Sequence, residues 1–83
     1  LKYRAKVEVR LKPGYLDPEG ESVKRALTLL GYKIDGASVS KVYEIEGKAK
    51  SMDEARKHVE EMCRKLLVNP VKDDYAFTIE EVE

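Results

Sequence analysis

The sequence predicts an α+β fold, a two-layer sandwich of strand–helix–strand–helix–strand order with two helices on one face of a sheet. Three observations carry this. A stretch near the N-terminus alternates apolar and charged residues. Two later stretches each carry a single apolar stripe at helical spacing. The C-terminal segment alternates again. Alternation is the period of a half-buried strand, and a stripe at i, i+3, i+4, i+7 is that of a helix with one covered side. A helix with one stripe covers one face of a sheet, hence two layers.

In the first strand Tyr3, Ala5, Val7, Val9 and Leu11 alternate with Lys2, Arg4, Lys6, Glu8, Arg10 and Lys12. One face is apolar. The other is almost entirely charged, and is expected to be solvated or paired across strands with acids such as Glu80. Pro13 cannot donate to a ladder and ends the strand. Gly14 lets the chain change direction. The stretch LKPGYLDPEG then invites a phosphate-cradle reading, but its residues favour a helix start. Asp17 is a favoured N-cap, and Pro18 suits the first helical position. Glu19 and Glu21 add negative charge at the positive end of the helix dipole. Three carboxylates would repel a phosphate, and no Gly-Lys-Ser/Thr run is present to hold one. The helix itself carries Val23, Ala26, Leu27 and Leu30. Gly31 ends it as a left-handed C′ residue, giving a helix over about residues 18–30.

Asp35-Gly36 marks a turn. Beyond it Val39, Tyr43 and Ile45 share a face with Lys41, while Val42 points the other way. The segment is β-rich and ends near Gly47, and is expected as one long middle strand rather than two short ones bent at Ser40-Lys41. Ser51-Met52-Asp53-Glu54 has the form of a capping box. The helix after it places Ala55, Val59, Met62, Cys63, Leu66 and Leu67 on one face, and Asn69-Pro70 stops it. Tyr75, Phe77 and Ile79 alternate with Ala76, Thr78 and Glu80 in a closing strand.

This order has ferredoxin-like character. Each strand–helix–strand crossover is expected to make its two strands parallel, and in split units an antiparallel neighbour fills the gap between them. Three strands in one chain leave a slot or an edge open. An unpaired edge is a template for another chain, so self-association is expected, most readily at the middle strand.

Composition bounds the function. The chain has 83 residues, one domain over 1–83, and buries only roughly 60 to 65% of its unfolded surface. Charged residues make up 39%, but 16 basic side chains balance 16 acidic ones. Such a surface gives no argument for nucleic acid or a membrane as partner. An RNA-binding sheet face would need stacked aromatics, and the charged face of the first strand has none. No apolar run approaches a membrane span, and the N-terminal alternation is not the block pattern of a signal peptide. A single cysteine, Cys63, allows no intramolecular disulfide and suits a reducing, cytoplasmic compartment.

Few residues of the chain are placed to carry chemistry. His58 flanks the apolar stripe of the second helix and reads as a boundary residue. Cys63 lies within that stripe, with no histidine at i±4, and reads as a small buried thiol rather than a nucleophile. Glu60-Glu61 and Glu80-Glu81 are adjacent in sequence, so their carboxylates diverge. No spacing supplies three or four metal ligands. Tyr3, Tyr43 and Tyr75 fall on apolar faces. Arg64-Lys65 reads as a solvated face. A ligand-sensing regulatory domain that dimerises edge to edge is compatible with this architecture, and a lone small enzyme is the least supported reading.

The runs VRLKPGYLDPEG, VKRALTLLG, MCRKLLVNPV and DDYAFTIEEVE resemble the PurS family, the small subunit of phosphoribosylformylglycinamidine synthase, over nearly the whole chain. The most specific pieces are Leu16 to Gly20 and Met62 to Pro70. The family often shows Arg-x-Gly-Lys where this chain has Ser38-Val39-Ser40-Lys41. A bend without glycine is less favoured, which supports one continuous strand. The resemblance implies a cytoplasmic, non-catalytic assembly subunit of a glutamine-dependent ligase in purine biosynthesis. A homodimer, or a tetramer, would link a glutaminase subunit to a large synthetase subunit and support ammonia transfer between them. ATP and Mg would belong to the large subunit, and none would be bound by this chain. The self-association seam is expected at Val39, Val42, Tyr43 and Ile45. Contacts to the other subunits are expected at Pro13, Gly14, Tyr15, Leu16 and Asp17 and at Asn69 and Pro70.

Overall fold

Alternation in the first ten-residue strand sets the frame of the molecule. In the computed structural model, which describes residues 1–82, β1 (Lys2–Leu11) is the centre of a three-stranded sheet of order β2-β1-β3. Glu83, the last residue of the DDYAFTIEEVE run, lies outside the described residues. Both neighbours, β2 (Lys41–Lys48) and β3 (Asp73–Val82), run antiparallel to β1. The register puts Val7 opposite Tyr43 and Phe77, and Ala5 opposite Ile45 and Ile79. Tyr43 and Ile45 of β2 and Phe77 and Ile79 of β3 therefore share one face with the apolar set of β1, while Val42 and Ala76 fall opposite Glu8 on the other.

That face is covered by α2 (Met52–Met62) and the π-helical turn that extends it (Cys63–Leu67). Tyr3, Ala5, Val7 and Val9 of the sheet are buried together with Ala55, Val59, Cys63 and Val68. Helix α2 starts with the expected box: Glu54 N–H donates to Ser51 Oγ at 3.1 Å. The carboxylate of Glu54 reaches back to the amide of Lys50, one residue before the cap, at 3.2 Å. The opposite face of the sheet carries the charges. Arg4 lies 3.1 Å from Glu46 and 3.7 Å from Glu80, and Lys6 lies 3.8 Å from Glu44. Cross-strand ion pairing on the outer face is as expected, with β2 supplying acids as well as β3.

The structure departs from two expectations. The first crossover does not make parallel strands, and the two helices do not share a face of the sheet. Helix α1 (Pro18–Leu29) packs substantially on no other element. Twelve residues carry the chain out by about 18 Å, and the irregular segment 30–40 brings it back to enter β2 beside the end of β1. An excursion that returns to its starting end gives an antiparallel pair. The second crossover behaves as expected: β2 and β3 run in the same direction, α2 joins them across the face, and β1 fills the slot between. The outer edges of β2 and β3 have no strand partner among the described residues. The projecting arm shows in the dimensions, 51 × 29 × 14 Å with a radius of gyration of 16.5 Å. A compact chain of this length has a radius of about 12 Å.

The arm is well terminated all the same. Gly31 has φ +102°, its N–H donates to Thr28 O at 3.0 Å, and Tyr32 N–H donates to Leu27 O at 3.2 Å. These two bonds form a Schellman close. The middle strand is continuous, as expected, but starts at Lys41, after Val39 and Ser40, and runs through Gly47. Of the expected stripe Ala55, Val59, Cys63 and Leu67 join the core, Met62 is half-buried outside it, and Leu66, in the π turn, is 83% exposed. Val68 N–H donates to Cys63 O at 3.0 Å, five residues back. This wider turn advances each residue by less than 100°, so Leu67 and Val68 swing onto the core and Leu66 swings off it.

Candidate interaction surfaces

The two turns expected to touch other subunits lie at one end of the sheet. Lys12 N–H donates to Lys72 O at 2.8 Å, and Lys12 Nζ donates to Pro70 O at 3.0 Å. The first turn closes by Tyr15 N–H to Lys12 O at 3.3 Å, with Gly14 at φ +91°. The second closes by Val71 N–H to Asn69 Oδ1 at 2.9 Å and Asn69 N–H to Asp73 Oδ2 at 3.0 Å. Pro13, Gly14, Tyr15 and Leu16, like Asn69 and Pro70, are exposed. A depression of about 530 Å³ lies there, lined by Lys12, Arg64, Val68, Pro70, Asp73, Asp74 and Tyr75. Its charges are mixed, two basic against two acidic.

Asp17, half-buried, has a different task from its neighbours. Its Oδ1 accepts from Gly20 N–H at 2.9 Å, the N-cap bond of α1, and its Oδ2 accepts from Val39 N–H at 2.9 Å. These amides, Gly20 first and Val39 second, hold the carboxyl below its ordinary value of 3.8.

The four residues expected at a self-association seam do not share a face. Tyr43 and Ile45 are packed against the protomer's own core. Val42 sits on the charged face, opposite Glu8, and is 57% exposed. Val39 precedes the strand, and its amide is engaged by Asp17. Sequence reasoning missed a larger apolar surface on α1. Val23, Leu29 and Leu30 are exposed, the last two at 82% and 74%, and Tyr32 follows them. The stripe at Val23, Ala26, Leu27 and Leu30 was visible, but the pattern reads alike whether its cover is the chain's own sheet or something else.

The reactive side chains are engaged in structure. Burial pushes the Cys63 thiol up, and the charge of Glu60 adds to this, so it stays protonated. Tyr75 Oη donates to Glu60 Oε1 at 2.6 Å, tying β3 to α2. That bond, first, and burial raise the hydroxyl above its ordinary value. His58 Nε2 lies 3.7 Å from Glu54 Oε1 on the helix surface. Among the described residues no three of His, Cys, Asp and Glu gather to hold a metal ion, and no helix is long and apolar enough to cross a membrane.

Fold and surfaces together define a small α+β chain with one sheet face covered by a single helix and a second amphipathic helix left without a cover. The chain belongs to the PurS family: the family model described as phosphoribosylformylglycinamidine (FGAM) synthase matches residues 4–81. It is 39% identical over 83 residues to the phosphoribosylformylglycinamidine synthase subunit PurS of Methanothermobacter thermautotrophicus, covering 100% of this chain and 99% of that one. The solved structure of Thermus thermophilus PurS superposes with a TM-score of 0.90 at 34% identity, with 100% of each chain covered. A chain in the structure of PurLQS from Thermotoga maritima superposes with a TM-score of 0.88 at 26% identity, covering 96% of this chain and 99% of that one.

Proposed function

We propose that this chain is a non-catalytic assembly subunit of phosphoribosylformylglycinamidine synthase in purine biosynthesis, acting in the cytoplasm. It self-associates and links a glutaminase subunit to a large synthetase subunit, so that ammonia released from glutamine reaches the synthetase site. ATP and Mg belong to that large subunit. The observation that carries the reading is the likeness, along nearly the whole chain, to a chain of PurLQS.

The physical demands of such a role match what the molecule offers. Ammonia that escapes to bulk water is protonated and loses its nucleophilicity, so a bridge must hold two sites together rather than make bonds. It needs a rigid body, a self-complementary seam and a polar outside. The sandwich of sheet and α2 supplies the body. The uncovered side of α1, with Val39 and Val42 at the open β2 edge, supplies apolar surface for a second copy. The end of the sheet carrying the Pro13–Leu16 turn and the Asn69-Pro70 corner is the contact surface for the other two subunits.

Reconstitution tests this. Glutamine-dependent FGAM formation by the glutaminase and synthetase subunits is expected to require this chain, while formation from added ammonium salt is not. The chain alone is expected to hydrolyse neither glutamine nor ATP. Full glutamine-dependent turnover without it overturns the proposal. A large, specific thermal shift of the isolated chain with one amino acid or nucleotide would favour a sensing role instead.

A further inference from the structure

We infer that the Leu16–Gly20 turn is a latch, in which Asp17 is a positioning residue that holds the returning segment 37–39 against the start of α1 and so sets the direction in which the helix leaves the sheet. Capping alone needs one acceptor oxygen. Asp17 uses both, and the second bond joins positions 22 apart in sequence, at 2.9 Å. Among the described residues it is the hydrogen bond that ties segment 33–40 to the helix start. An asparagine places an NH2 donor where one of these two oxygens stands, so it cannot accept at both positions.

Gly20 gives an independent observation of the same contact. It is the buried residue of α1. Its backbone is helical, so no left-handed conformation demands glycine. A Cβ there would lie 2.6 Å from Ala37 O and 2.6 Å from Asp17 Oδ2. Glycine costs about 1 kcal/mol against alanine inside a helix. Its presence at the third helical position is explained by the strand of backbone passing over it. Asp17 and Gly20 are thus two halves of one fastening, one supplying the acceptor and the other the room.

A helix without packing against the sheet has little else to fix its orientation. Holding it in advance removes part of the entropy cost that a second copy would otherwise meet on covering its apolar side. This consequence rests on the proposed self-association; the latch itself does not.

The test uses the full chain with Asp17→Asn, which keeps one acceptor for the cap, and Gly20→Ala, which keeps the Asp17 carboxylate but drives a Cβ against its Oδ2 and against Ala37 O. Circular dichroism confirms that both fold. Amide hydrogen exchange at Val39 is expected to quicken about tenfold or more in each. Sedimentation equilibrium is expected to show association weakened by about the same factor. Unchanged exchange at Val39 in both variants overturns the latch. Faster exchange with undiminished association overturns the positioning role. A wild-type chain that stays monomeric at every concentration, with Val39 protected only when the latch is intact, overturns the self-association reading and supports the latch.

Discussion

Tyr3 and Gly47 occupy one volume. They are register partners across β1 and β2, and a Cβ on Gly47 would lie 2.6 Å from Tyr3 Oη and 2.8 Å from its Cζ. The ring lies over the glycine of an edge strand and keeps it covered. Gly47→Val is expected to lower stability by about 1–3 kcal/mol in urea denaturation, because the buried ring must move; a loss within error would mean that the ring has room elsewhere. Val59 has no exposed surface, and Val59→Ala is expected to cost about 2 kcal/mol. Cys63→Ala and His58→Ala, by contrast, should leave turnover of the reconstituted synthase unchanged per folded molecule, and a large drop in kcat for either would restore a catalytic reading. Two groups give opposite pH signatures. The Asp17 carboxyl is lowered in the folded chain, so its contribution is present above the ordinary value of 3.8 and is lost as pH falls through the folded value. The Tyr75 hydroxyl is raised, so its contribution is present below the ordinary value of 10.0 and is lost as pH rises through the folded value. Wild type and Tyr75→Phe should therefore converge in stability at high pH, and a constant gap across that range would contradict the sign.

Elements were legible where a local signal fixes them. The alternation of β1, the Ser51 cap of α2, the Gly31 stop of α1 and the Asn69-Pro70 corner each depend on a few neighbouring residues, and each stands where the sequence puts it. What was not legible is geometry that the same letters allow in two ways. The run Cys63–Leu67 has the spacing of an α-helix, yet it winds as a π turn so that both Leu67 and Val68 reach the core. Nor does a stripe name its cover, which is why α1 was expected on the sheet. Chain order also led to the wrong direction for β2, expected parallel to β1 and found antiparallel. That direction depends on whether segment 30–40 crosses the sheet or doubles back, and the Asp17–Val39 bond that marks its return joins distant positions. The π turn has a measurable consequence. Leu66→Ala should change stability by less than about 0.5 kcal/mol, as exposed sites do. Leu67→Ala should cost more than about 1 kcal/mol, since its side chain packs against the core. Equal costs would fit a regular α-helix and not the turn described.

At the scale of the molecule the unusual quantity is shape. A chain of this length could be nearly spherical, and this one is 51 Å long and 14 Å thick because one of its two helices stands away from the sheet. Exposed leucines on such an arm gain nothing from their own protomer, so altering them should hardly change the stability of a monomer. They would matter only to what covers them. Leu30, 74% exposed, separates the two effects. Leu30→Lys is expected to leave the urea midpoint within about 0.5 kcal/mol of wild type when both are measured at concentrations low enough to be monomeric. In sedimentation equilibrium the same variant is expected to associate at least about tenfold more weakly, since a charge would enter an apolar seam. Val42→Lys, at the β2 edge, should weaken association less, because Val42 is a single apolar side chain among charged neighbours. Association of Leu30→Lys at wild-type strength would move the seam off the arm. A larger effect of Val42→Lys would put it on the strand edge instead.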